Sequence, residues 1–195
     1  MMKRLRPLLP AALALLLAAC AAPNPQVTLL TLPPRLDTPP PAPLDPARVL
    51  QVGRLAIPEY LSARSARYRA DDSSLTPWPS TVWAERLEIS LTRDLAAALR
   101  ARLPGWQVCE EHCPAPPSHR LSLDLPVLEH VRSRGELQAQ ARWSWQPSAR
   151  GATAVAGQRS GLVRGLADTP QAGATAMANW MDTLAGAIAE QLQPR

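Results

Sequence analysis

No apolar run in this chain reaches the ~20 residues that a membrane-spanning helix requires. The longest extends only from Leu8 to Ala19, and no later segment is longer. Lysine is missing after Lys3: every later basic residue is arginine, and alanine is abundant, a pattern of composition bias more than of chemistry. The arginines are scattered, so the basic face that a nucleic-acid partner requires is not present. Of 21 basic residues, Lys3, Arg4 and Arg6 stand at the extreme N-terminus, which leaves 18 against 16 acidic residues for the rest. The sequence also lacks a G-x-S-x-G elbow, a phosphate-binding P-loop and an H-E-x-x-H pair. Ser160, between Gly157 and Gly161, is out of register for a nucleophile elbow. Asp71-Asp72 and Glu110-Glu111 are adjacent carboxylates of solvated loops, and His119 and His130 bracket a strand without a partner motif. No catalytic residue, metal site or cofactor is expected, and the chain does not read as an enzyme.

What is present begins at the N-terminus. A basic start is followed by an apolar run and then by Leu17-Ala18-Ala19-Cys20. This is the layout of an export signal. The four residues resemble the lipobox of bacterial lipoproteins, in which the cysteine sulfur is acylated and the freed α-amine takes a further chain. Residues 1–19 are therefore expected to be a signal peptide, with Cys20 as the lipid attachment site. Each buried methylene is worth ~0.8 kcal/mol, so two or more chains give a stable anchor. Ala21 and Ala22 follow where an inner-membrane retention signal would place aspartate, so the expected address is the outer membrane, facing the periplasm.

Acylation of Cys20 leaves Cys109 and Cys113, an even pair in an oxidising compartment. They read as a disulfide, as free thiols, or with His112 and His119 as zinc ligands; the adjacency of His112 and Cys113 is awkward for a tetrahedral site.

Residues 20–47 form the acylated N-terminus and a proline-rich linker. Residues 21–47 hold nine prolines, including Pro39-Pro40-Pro41, a composition that favours an extended spacer. Within it, Val27-Thr28-Leu29-Leu30-Thr31-Leu32 reads as a spacer segment or as an edge strand of the domain at 48–195. Arg48–Ile57 reads as a strand stopped by Pro58, and 66–69 as another. Residues 71–80 read as a loop broken by Pro77-Trp78-Pro79. Leu87, Leu91, Leu95 and Leu99 recur every four residues, predicting a helix from Val82 to Leu103 capped by Ser80 or Thr81. Leu121, Leu123, Leu125 and Val127 alternate with polar residues. So do Leu137, Ala139, Ala141, Trp143 and Trp145, predicting two strands that each bury one face. A weaker strand follows at 153–164. A second helix is predicted from Pro170 to Leu192, with Thr169 as cap and an apolar stripe of Met177, Met181, Leu184, Ile188 and Leu192. Gly157, Gly161 and Gly165 are read as bulges and turns. The expected fold is α+β: an antiparallel sheet with two long amphipathic helices packed against it.

Two readings of aromatic residues bear on function. Trp143 and Trp145, on one strand face, either line a slot for an acyl chain or fill the core. Tyr60, Leu61 and Trp78 fall in predicted loops, as candidate partner-binding residues or as local packing.

The ordered landmarks resemble the auxiliary lipoproteins of ABC-type and MCE-type transport systems, the PqiC-like (YmbA-like) family. They are Leu29-Leu30-Thr31-Leu32, then Val52-Gly53 and Ile57-Pro58-Glu59-Tyr60-Leu61, then Trp83-Ala84-Glu85-Arg86-Leu87. Trp143, Ala176-Met177, Leu184 and Ile188-Ala189 complete them. The resemblance implies a non-catalytic outer-membrane lipoprotein that serves an intermembrane (phospho)lipid transport system. Its implied partners are an MCE-domain periplasmic protein, the inner leaflet of the outer membrane and further copies of itself in a ring. The competing reading is a lipid- or lipoprotein-binding carrier, or a lipoprotein that assists assembly of an envelope complex.

Overall fold

The computed structural model describes residues 26–35, 43–71 and 73–193. The signal segment, Cys20 and Pro39-Pro40-Pro41 lie outside the described residues. Eight strands form one sheet: β1 (Thr28–Leu30), β2 (Val49–Val52), β3 (Ser65–Arg69), β4 (Leu75–Trp83), β5 (Gln107–Cys109), β6 (His119–Val131), β7 (Glu136–Pro147) and β8 (Val155–Arg164). Two helices, α1 (Leu87–Arg102) and α2 (Pro170–Leu192), pack together on one face.

The sheet is mixed, which corrects the antiparallel expectation. β6–β7, β7–β8 and β3–β4 are antiparallel, whereas β1–β4, β2–β5, β2–β6 and β3–β6 are parallel. Strand period reports which face is buried, not the direction of a neighbour, so this distinction had no signal in the alternation. The thirteen-residue β6 is the spine. Along one side it pairs with β7. Along the other, its start pairs with β2 and its end with β3.

β6 changes face partway. Leu121, Leu123 and Leu125 are buried, but the register slips between Asp124 and Val127. Pro126 cannot donate to a ladder, and an extra residue there reverses which side chains point inward. Val127 therefore pairs with exposed Gln140, and Leu128 is the buried residue instead.

The largest correction concerns residues 75–86. The segment expected as a loop and first helical turn is the nine-residue strand β4. Pro77 and Pro79 do not prevent this, because β1 covers only Thr81–Trp83 and leaves the proline stretch as an edge. Asp71 makes the turn into it: Oδ1 accepts the backbone N–H groups of Ser73 and Ser74, both at 2.8 Å. Helix α1 consequently starts at Leu87, after Arg86, with no side-chain cap. Its stripe of Leu87, Leu91, Leu95 and Leu99 is buried as the four-residue spacing predicts. Each such leucine contributes about 1.5–3 kcal/mol on burial. Helix α2 has its predicted bounds, and the Thr169 hydroxyl accepts the Ala172 N–H. All five residues of its predicted stripe are buried.

The start of the domain is fastened across both layers. β1 pairs with β4, while Leu30 and Leu32 are buried. Arg35 then reaches Asp94 of α1 at 2.6 Å, Asp182 of α2 at 2.8 Å and the Ala178 carbonyl at 2.8 Å. Arg102 of α1 holds the other oxygen of Asp182.

Candidate functional site

Tyr60 and Trp78 both lie where β3, β4 and the end of β6 run side by side, but neither they nor Leu61 form an exposed rim. Leu61 and Trp78 are core residues, 7 % and 8 % exposed. This corrects their reading as loop residues available to a partner: Leu61 ends a 3-10 turn, Glu59–Leu61, and Trp78 lies on β4. Tyr60 is half-buried and committed to a hydrogen bond.

On the sheet face away from the helices, Glu129 of β6 is the centre. Tyr60 Oη donates to Glu129 Oε1 at 2.6 Å, Arg69 Nη2 donates to the same oxygen at 2.6 Å, and Arg69 Nε donates to Oε2. Burial raises the Tyr60 phenol, and the hydrogen bond and charge of Glu129 raise it further. Burial also pushes the Glu129 carboxyl up. There the hydrogen bonds from Arg69 and Tyr60 and the Arg69 charge outweigh it, so the group ends below the usual carboxylate range.

On the helix-facing side, Tyr68 and Trp78 pack with ring centroids 4.6 Å apart, and His130 lies 5.8 Å beyond Trp78. The His130 ring touches Gly173 in the first turn of α2, where an added Cβ would stand 3.0 Å from Nδ1. Neither ring nitrogen has a hydrogen-bond partner among the described residues. Burial lowers its pKa; Asp168 opposes that shift and Arg132 adds to it. Arg132 closes the end of the cluster. Its guanidinium grips Asp168 with two bonds of 2.6 and 2.8 Å, donates to Tyr68 Oη at 2.9 Å, and sits 4.9 and 5.1 Å from the Tyr68 and Trp78 ring centres.

This arrangement holds structure together; it does not place a nucleophile beside a base. The Glu129 carboxylate is occupied by three donor atoms of Tyr60 and Arg69, and His130 faces rings and backbone. Among the described residues no group of three or more His, Cys, Asp or Glu side chains is placed to hold a metal. Cys109 and Cys113 are joined to each other, with Cα atoms 5.3 Å apart. His112 is exposed, and His119 lies between Trp106 and Trp145 at 5.1 and 5.3 Å. The open cleft beside this loop, of about 650 Å³, is lined by Val52, Arg54, Thr92, Arg100 and the Cys109–His112 stretch. Arg54–Glu111 and Arg100–Glu110 ion pairs cross it. Of the two tryptophans read as a slot, Trp143 is core. Its ring fills the space over Gly157, and Nε1 donates to Gln191 of α2 at 3.0 Å. Trp145 is partly buried against the core.

Arg35, Arg132 and Glu129 each hold polar contacts of long range, and none stood out in the sequence. Each partner lies 36 or more residues away, beyond any local periodicity.

Comparison with known proteins places these features. Residues 30–189 match the family described as the ABC-type transport auxiliary lipoprotein component. Over 64 residues the chain is 31 % identical to the intermembrane transport lipoprotein PqiC of Escherichia coli strain K12. That stretch is 33 % of this chain and 34 % of PqiC, so the match spans about a third of the curated relative's length. A crystal structure of an uncharacterised protein superimposes with a TM-score of 0.71 at 18 % identity, covering 86 % of this chain and 99 % of that one. The crystal structure of XCC0632 from Xanthomonas campestris gives 0.61 at 13 % identity, over 85 % and 94 %. Both share the fold.

Proposed function

We propose that this chain, which belongs to the family of ABC-type transport auxiliary lipoproteins, is the outer-membrane, non-catalytic member of an MCE-type system moving phospholipid or another apolar molecule between membranes. Family membership across residues 30–189 is the observation that carries the reading. The partial likeness to a lipoprotein whose name denotes intermembrane transport supports it. In this reading Cys20 carries the acyl chains and residues 1–19 are removed. The folded domain stands in the periplasm, where it receives or caps the end of an MCE-domain partner, alone or as a ring of identical copies. Energy for transport comes from elsewhere in the system.

The filled layer around Trp143 and Gln191 favours a docking component over a carrier with an internal lipid pocket. Two measurements test the reading. Cys20→Ala should abolish fatty-acid incorporation and release the protein from membranes. Native mass spectrometry of the cross-linked, acylated protein should find an MCE-domain partner and report the copy number. Recovery of a bound lipid and no such partner would overturn the docking role in favour of the carrier.

A further inference from the structure

The most exposed large apolar side chains among the described residues are Leu29 and Val27, at 62 % and 58 %. Leu29 lies on the edge strand β1 and Val27 just before it; two residues apart, they share the outward face, while Leu30 points into the core. Leu29 is in register with Val82 of β4, and Val82 with Ser65 of β3. Leu29 and Val82 thus form an apolar pair that ends at the hydroxyl of Ser65. Two arginines are carried by the backbone next to this pair. The Arg64 carbonyl accepts the N–H of Trp83, the neighbour of Val82. Arg67 follows Ser65 on the same face and donates only to the Ser65 hydroxyl, at 3.3 Å. Neither guanidinium has a carboxylate partner among the described residues, although most other arginines of the domain do.

Resting on the reading that Cys20 is acylated, we propose that this β1 edge is the surface on which the domain lies against its anchoring membrane. Val27 and Leu29 would sit at the acyl–headgroup boundary, and Arg64 and Arg67 would meet lipid phosphates. Chain length argues for it. Seven residue steps separate Cys20 from Val27, a span of at most about 25 Å. A domain of this size is about 40 Å across, so the opposite side cannot be turned to the membrane while the tether holds. The tether cannot lengthen cheaply either, because Leu30, Leu32 and the Arg35 bridges bind its continuation to both helices. Exposed apolar groups beside unpaired cations match an anionic lipid surface.

A photoreactive benzophenone side chain in place of Leu29, in the full acylated protein in cells, tests this against the same group in place of Leu162. Leu162 is also exposed but lies on β8, at the other side of the sheet. The expected result is cross-linking to phospholipid at position 29 and none at 162, with several-fold less at 29 when Arg64→Glu and Arg67→Glu are combined. If fatty-acid labelling and membrane fractionation are intact but position 29 captures a protein, or captures nothing, the inference is overturned and the lipoprotein reading stands. If fatty-acid labelling itself is absent, the acylation reading fails and takes this surface with it.

Discussion

Trp143 and Gly157 face each other directly across the β7–β8 ladder, and the indole lies over the space that a glycine side chain leaves open. A Cβ at 157 would stand 2.4 Å from Trp143 Cε2. Four residues along β8, a Cβ at Gly161 would stand 2.3 Å from the indole of Trp180 on α2. The two glycines are thus sockets that let helix and sheet close, not the bulges their spacing implied; of the three spaced glycines, Gly165, with φ +76°, is the turn glycine. Gly157→Ala and Gly161→Ala should each cost about 1–3 kcal/mol by overpacking. Urea denaturation measures this, and unchanged midpoints would show that the indoles relocate freely.

Removing the charge of Glu129 takes the buried carboxylate away from both the Arg69 guanidinium and the Tyr60 phenol. Glu129→Gln should cost about 3 kcal/mol, the lower end for breaking a buried ion pair because Arg69 retains some exposure. Tyr60→Phe should cost about 1 kcal/mol. The Glu129 carboxyl is held below its ordinary range, so its contribution is complete above about pH 4.3 and declines as acid carries the pH through the lower folded value. Acid unfolding of Glu129→Gln should lack that portion of the profile.

Arg35 couples the first folded residues to both helices, and its loss exposes the cost of a buried carboxylate. Burial already raises Asp94, and Arg35 is the chief group opposing that rise. Arg35→Ala should destabilise by about 3 kcal/mol, and hydrogen exchange at the N–H groups of β1 should quicken more than that of α2. Equal protection in β1 would mean that Leu30 and Leu32 alone hold the segment down.

The Cys109–Cys113 bond closes a small loop at the end of β5. Entropy of so short a loop is worth about 2 kcal/mol. Cys113→Ser should lower the urea midpoint accordingly, and reduction should add two hydrogen masses to the intact protein. A mass unaffected by reductant would place free thiols there.

Leucine every four residues located α1, and Thr169-Pro170 with the methionine-containing stripe located α2, because helix faces and caps are written in neighbouring residues. β7 was equally legible from its alternation. β4 was not: prolines at 77 and 79 read as breakers because nothing local says that β1 stops short of them. The face change in β6 was hidden for a related reason, since alternation continues through Val127 while the chain gains a residue at Pro126. Trp78 was misplaced along with β4, whereas Leu61 does lie in a turn but turns its side chain into the core. The polar centre at Glu129 needed partners from β3 and the 3-10 turn, 60 and 69 residues away, and such pairing is invisible without the fold.

His130 is a buried imidazole whose protonation burial opposes. It is 2 % exposed, and the groups facing it are the Trp78 ring, Gly173 in the first turn of α2, Asp168 and Arg132. Burial is the chief cause that favours the neutral imidazole; the Asp168 carboxylate opposes it, and the Arg132 cation supports it. Its pKa lies below the usual value, so the unfolded chain binds this proton first. Stability is therefore complete above about pH 6.5 and falls as the pH drops toward the folded value, by up to about 1.4 kcal/mol per pH unit. His119 is also lowered by burial and contributes to the same window. His130→Leu should cost less than about 1.5 kcal/mol at pH 7.5, because a hydrophobic side chain of similar reach leaves no polar atom unpaired. Between pH 6.5 and 5 it should lose stability more gently than the parent, and His119→Gln in the same background should flatten the curve further. Urea midpoints across that range decide it: a His130→Leu slope equal to the parent's would mean that the imidazole takes up its proton in place, without loosening the first turn of α2.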